Sequence, residues 1–116
     1  MSEEIFDKKA FDKTYESLGK DAIKDVIDSY FNVYDELFGN VEKSVKDGDF
    51  KKLKFFANKM KGSLFTLFGK KPANIAEELL KKGINNNSEG INELFDEFKK
   101  LVLQYNIELK EYVDEL

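Results

Sequence analysis

The stretch FFANKMKGSLFTLFG, residues 55 to 69, gathers the side chains of this chain that could do chemistry. Leu53, Phe56, Met60, Leu64 and Leu67 recur at steps of three and four, the apolar signature of one helix face. Between them stand the amide of Asn58, the ammonium groups of Lys54, Lys59 and Lys61, and Gly62, which costs a helix interior about 1 kcal/mol relative to alanine. On a helical wheel at about 100° per residue the apolar set, with Phe50, Ala57 and Phe68 added, spans an arc of roughly 120°, and Asn58 lies about 140° from its centre. Lys51, Lys54, Lys61 and Gly62 fall on that outer side, with Phe55 and Phe65 at its edges. Two exposed rings beside a glycine gap and several ammonium groups make a surface on which another protein can approach the helix backbone closely.

The rest of the sequence narrows the chemistry. There is no histidine and no cysteine, which removes imidazole and thiolate nucleophiles, disulfides and thiolate metal sites. The carboxylates are spread along solvent faces without a base or nucleophile beside them, and no Gly-rich phosphate loop follows a strand, so an enzyme is not expected. Neither a metal nor a cofactor is expected, because the inward Glu-x-x-His pairs of a di-iron bundle are missing. A net charge of -4 with both signs interspersed argues against nucleic-acid binding. Short lysine clusters at 51 to 54 and 69 to 71 read as solvated helix surface. The amino terminus, MSEEIFDKKAFDKT, has no apolar block, so a cytoplasmic protein without a membrane span is expected.

Five helices must position these residues. A first segment, Glu3 to Leu18, has Ile5, Phe6, Ala10, Phe11, Tyr15 and Leu18 near helical spacing. A second helix is expected from an N-cap at Asp21 to Asp47 and Gly48, bent or locally broken at Gly39 and Asn40. Asp49 caps the third, which runs to about Phe68 and is stopped by Gly69. Pro72 sits in the first turn of a fourth, shorter helix that ends before Gly83. After the polar loop Asn85 to Ser88, Ser88 is expected to cap a last helix carrying Ile91, Phe95, Phe98, Val102, Tyr105, Leu109 and Tyr112. No strand pattern competes. A chain of 116 residues can bury roughly two-thirds of its unfolded surface in one core. Short connections favour antiparallel neighbours. The fold class is therefore all-α: one domain, residues 1–116, an antiparallel up-and-down four-helix bundle with a short additional N-terminal helix capping one end.

Ala57-Asn58-Lys59-Met60-Lys61-Gly62-Ser63 resembles the signature of histidine-containing phosphotransfer (HPt) domains, in which Ala-His-x-Leu-Lys-Gly-Ser lies on an exposed face of a four-helix bundle. Leu67, the Gly69 region and Ala76-Glu77-Glu78-Leu79-Leu80 continue the likeness, with Gly69 one place later than in the family pattern. Leu18-Gly19-Lys20-Asp21 and the Asp47-Gly48-Asp49 turn resemble its punctuation. The resemblance implies a protein of a two-component phosphorelay whose partners are response-regulator receiver domains, sensor histidine kinases, or both. It implies that Lys61 helps hold phosphoryl oxygens and that Gly62 leaves room for the receiver; around that gap the wheel sets Lys54, Phe55 and Phe65 as candidate docking contacts, with Asn58 between them.

The departure falls on the defining residue, because Asn58 stands where the family has its phospho-accepting histidine. An amide nitrogen has its lone pair delocalised into the carbonyl and cannot accept phosphoryl as an imidazole does. The resemblance thus implies docking without phosphotransfer. One small docking face suggests a transient interface of modest area on a monomer, while the exposed Phe55 and Phe65 would support a homodimer equally well. A natural variant and a His-to-Asn exchange in an active carrier both fit the sequence. The competing expectation is a structural helical adaptor unrelated to phosphorelay, with its interface elsewhere.

Overall fold

The computed structural model describes residues 5–116. Its helices are α1 (Lys8–Tyr15), α2 (Lys20–Asp47), α3 (Phe50–Thr66), α4 (Lys70–Ile84) and α5 (Ile91–Asp114). Consecutive long helices run antiparallel: α3 packs against α2 and α4, α5 against α4 and α2, closing a four-helix bundle. Its interior is filled by the periodic residues, among them Ile27, Val41, Leu53, Met60, Leu64, Leu79, Phe98 and Leu109. Large-to-small changes at such positions cost about 2 to 5 kcal/mol in general.

The amino-terminal segment covers one end of the bundle, as its apolar spacing led us to expect. Phe6 and Phe11 are fully buried, and the Phe6 ring stands edge-on to Tyr105 and Tyr112 at 5.9 and 5.4 Å. Glu108 Oε1 accepts from the backbone N–H groups of Ile5 and Phe6 at 2.9 and 3.0 Å. The Tyr112 hydroxyl donates to Asp12 at 2.6 Å, and Tyr15 donates to the Thr66 carbonyl at 3.1 Å. The helix is shorter than the periodicity promised: Asp7 caps it by accepting from Ala10 N, and Leu18 is exposed. Residue Glu3, the start expected for it, lies outside the described residues.

Four expected boundaries need correcting. The N-cap of α2 is Gly19, and Asp21 sits in the first turn, where its carboxylate still opposes the positive end of the helix dipole. No break occurs at Gly39 and Asn40; α2 runs through both, and Ser44 Oγ donates to the Asn40 carbonyl at 2.7 Å. Gly83 lies inside α4 rather than beyond it. A Cβ there would meet Lys54 N at 2.9 Å and the Phe50 carbonyl oxygen at 3.0 Å, so this glycine is where α4 presses on the α3 backbone. Ser88 gives only its carbonyl, to Ile91 N at 3.2 Å, while Gly90 in the left-handed region (φ 65°) is the N-cap of α5.

The α3 ends deserve separate reasons. Asp49 caps its start by accepting from Lys52 N at 3.1 Å. At its finish the left-handed residue is Phe68 (φ 60°), not Gly69. Gly69 is required for another cause: a Cβ would stand 2.7 Å from the Tyr105 ring. The Tyr105 hydroxyl then reaches past it to the Leu67 carbonyl at 2.8 Å, satisfying a terminal acceptor of α3. This fixes the end of the helix that bears the candidate site.

Candidate functional site

The inward face of α3 is dry. Leu53, Ala57, Met60, Leu64 and Leu67 are buried, while Phe50, Phe56 and Phe68 are half-buried. That set orients the opposite face outward with little freedom. Asn58 is exposed there, as are Lys51, Lys54, Phe55, Gly62 and Phe65; Lys61 is half-buried.

Gly62 meets the condition the sequence set for it. A Cβ at this position would find no atom within 4 Å, so nothing in the bundle requires a glycine. The exposed backbone remains hydrogen-bonded, with the Thr66 hydroxyl donating to the Gly62 carbonyl at 2.8 Å. The exposed Phe55 ring is held from two sides. The Lys59 ammonium lies 4.8 Å from its centroid, and Phe56 meets it edge-on at 5.0 Å. A ring held in this way loses less entropy when a partner covers it.

Two depressions flank the α3 ridge. One, about 480 Å³, lies between α3 and α4 and brings together Asn58, Lys51, Lys54 and Phe55 with Leu80 and Ile84. The other, about 740 Å³, lies between α2 and α3; Gly62 borders it with Val26, Val33, Phe56 and Thr66. The sequence-derived set is thus divided. Lys54, Phe55 and Asn58 share the first depression, Gly62 opens onto the second, and Lys61 and Phe65 line neither. Leu80, Ile84 and Val33 were missed by reasoning from α3 alone. The available signal was an apolar residue off its helix's buried arc: Val33 and Ile84 are 46% and 54% exposed.

Charge is distributed unevenly. Helices α3 and α4 together carry nine lysines and two glutamates, and all other parts of the chain carry ten lysines and 21 acids. The candidate face is therefore positive on a protein that is negative overall. Among the described residues, the α3 lysines 51, 54 and 61 make no ion pair, and the Asn58 amide makes no hydrogen bond. Lys52 alone on this helix pairs with a carboxylate, Asp49, at 4.0 Å. Beneath the α2 side, the Tyr30 hydroxyl donates to Asn106 at 2.7 Å, and burial raises its pKa well above the ordinary phenol value, so it stays neutral. It braces the site from below without offering a base.

Among the described residues no group of three or more acidic side chains could hold a metal, and no helix is long and apolar enough to cross a membrane. No family model matches this chain, and no curated protein matches it closely in sequence. It is similar in structure to histidine-containing phosphotransfer protein B (HptB) from Pseudomonas aeruginosa PAO1, whose crystal structure superposes with a TM-score of 0.88 over 99% of both chains at 16% identity. The fold is that of an HPt protein, an all-α bundle with one extra helix.

Proposed function

We propose that this chain is a docking protein of a two-component phosphorelay, binding receiver domains or sensor histidine kinases through the outer face of α3 without itself carrying phosphoryl. The observation that carries the reading is Asn58, an unbonded amide on the exposed face, set in Ala-Asn-Lys-Met-Lys-Gly-Ser where the resembled family has its acceptor histidine. The whole-chain likeness to an HPt protein supports the same assignment.

In this reading the partner approaches over Gly62, where no side chain stands in the way. Phe55 and Phe65 bury apolar area against it, and Lys54 and Lys61 face its anionic centre. The phosphoryl group then meets a side chain that cannot attack it: the Asn58 nitrogen has no free lone pair, and no histidine elsewhere in the sequence replaces it. Docking without transfer makes the protein a competitor of active carriers. A cytoplasmic monomer with a transient interface of less than about 1,200 Å² fits this role. Nothing in the chemistry asks for a cofactor of its own.

Titrating the protein against purified receiver and kinase domains of the same organism tests the proposal. Saturable binding to at least one, lost in Gly62→Gln, is expected. Binding to none of them, or binding that Gly62→Gln leaves intact, rejects it.

A further inference from the structure

We infer that Tyr15, at the end of α1, is a positioning residue for the docking face. It carries the fixed geometry of the amino-terminal segment through Thr66 to the Gly62 opening, so that partner docking and attachment of that segment favour each other. The inference rests on the docking reading above and goes beyond it by giving the amino-terminal segment a part in the site.

Two hydrogen bonds that share one residue make the bridge. The Tyr15 hydroxyl donates to the Thr66 carbonyl at 3.1 Å, and the Thr66 hydroxyl donates to the Gly62 carbonyl at 2.8 Å. Thr66 is the last residue of α3, where carbonyls lack partners within the helix. The carbonyls of Thr66, Leu67 and Phe68 each accept from outside α3: from Tyr15 Oη at 3.1 Å, Tyr105 Oη at 2.8 Å and Asp7 N at 3.2 Å. Two of those donors, Asp7 and Tyr15, are the N-cap and the last residue of α1. The amino-terminal segment is thus built onto the end of the helix that bears the docking face.

A positioning group must itself be held. Phe6 and Phe11 are fully buried, Glu108 accepts from the backbone N–H groups of Ile5 and Phe6, and Tyr112 donates to Asp12. Glu108 and Tyr112 belong to α5, so the segment is anchored on α5 and bears on the end of α3. The Tyr15 ring packs on Phe11 at 4.7 Å and meets Phe68 edge-on at 6.3 Å, which aims its hydroxyl. What the bridge supplies is order at the residue of α3 whose backbone has the most conformational freedom, Gly62. A partner that packs on mobile backbone must fix it, at a cost to affinity. The Thr66 hydroxyl holds the Gly62 carbonyl, and Tyr15 holds the turn that carries Thr66 and Phe65. Such coupling is reciprocal: whatever the segment lends to docking, docking lends to the segment.

Amide hydrogen exchange of the full chain, free and bound, tests this. Tyr15→Phe keeps the ring and removes only the hydroxyl. In the free protein it should speed exchange of the Leu67 and Gly69 amides, which close the last turn of α3 on Ser63 and Leu64, several-fold, while the buried Val102 of α5 keeps its rate. When a receiver or kinase domain of the same organism binds the parent, the Ala10 and Phe11 amides of the segment should exchange about fivefold more slowly. Tyr15→Phe should erase that slowing and weaken binding by a similar factor. Unchanged exchange at the end of α3 in Tyr15→Phe overturns the inference whatever the partner does. Segment rates that binding leaves alone overturn it while the docking reading stands. Slowing that persists in Tyr15→Phe also overturns it, since the partner would then cover the segment directly. Binding of neither kind of domain to the parent rejects the docking reading and the inference with it.

Discussion

Gly62 and Gly83 both lie inside helices, and each costs its helix about 1 kcal/mol relative to alanine. What faces them is opposite. Gly83 meets the α3 backbone at distances no Cβ tolerates, while Gly62 meets nothing within 4 Å. They serve the same helix, α3, from its two sides: one lets α4 come close on the inside, the other leaves the outside open. The bundle uses the first glycine and has no use for the second. Gly39 inside α2 is equally open, so the space alone names no partner; at Gly62 it is the proposed docking face that gives the opening a use.

Four changes press on that contrast. Gly83→Ala should cost about 2 kcal/mol, because the added methyl must push rigid backbone aside. A lowered urea midpoint at unchanged slope is the expected readout, and an unshifted midpoint would mean that the close seam is relaxed in solution. Tyr105→Phe should cost about 1 to 2 kcal/mol by leaving the Leu67 carbonyl without its buried donor.

That tyrosine also shapes the alkaline limb. Burial raises the Tyr105 and Tyr30 pKa values well above the usual 10, and burial together with the Asp12 carboxylate pushes Tyr112 up to about 12. A phenol with a raised folded-state pKa binds its proton more tightly in the native state. Its contribution to stability is complete below pH 10 and is lost as pH rises through the folded-state value. Stability should therefore fall from pH 10 upward, with a shallower slope in Tyr105→Phe. An unchanged slope in that variant would place the sensitivity elsewhere.

On the outer side the signs reverse. Gly62→Ala should raise stability by about 0.5 to 1 kcal/mol, since the methyl enters open space and alanine restricts the unfolded chain. Phe65→Ala, at a ring 42% exposed, should move stability by no more than about 0.5 kcal/mol while weakening receiver binding. A large destabilisation with unaltered binding would turn Phe65 into a core residue and remove it from the docking face.

The contrast also marks what the sequence makes legible. Helix order, the all-α bundle and the outward position of Asn58 follow from periodicity, because each apolar side chain declares which way its turn must face. Glycines declare nothing of the kind. Gly83 reads as a terminator until the α3 backbone is seen against it, and Gly69 reads as the left-handed stop that Phe68 in fact provides. Asp49 caps α3 as expected, but two other expected caps are displaced for a related reason. Asp21 and Ser88 have the right chemistry, but Gly19 and Gly90 hold the positions, and the chain path into each helix decides which residue does so. In the site, Leu80 and Ile84 were hidden because they belong to a neighbouring helix, and wheel reasoning on α3 cannot place them beside Asn58.

The most direct test of the central claim restores the nucleophile. The parent chain and Asn58→His are each mixed with radiolabelled, phosphorylated receiver domains of the same organism, and label is followed over seconds to minutes. The account predicts that Asn58→His takes up phosphoryl and the parent does not, because the docking face is complete and lacks only an attacking nitrogen. Label on the parent chain, or on neither protein, would contradict it.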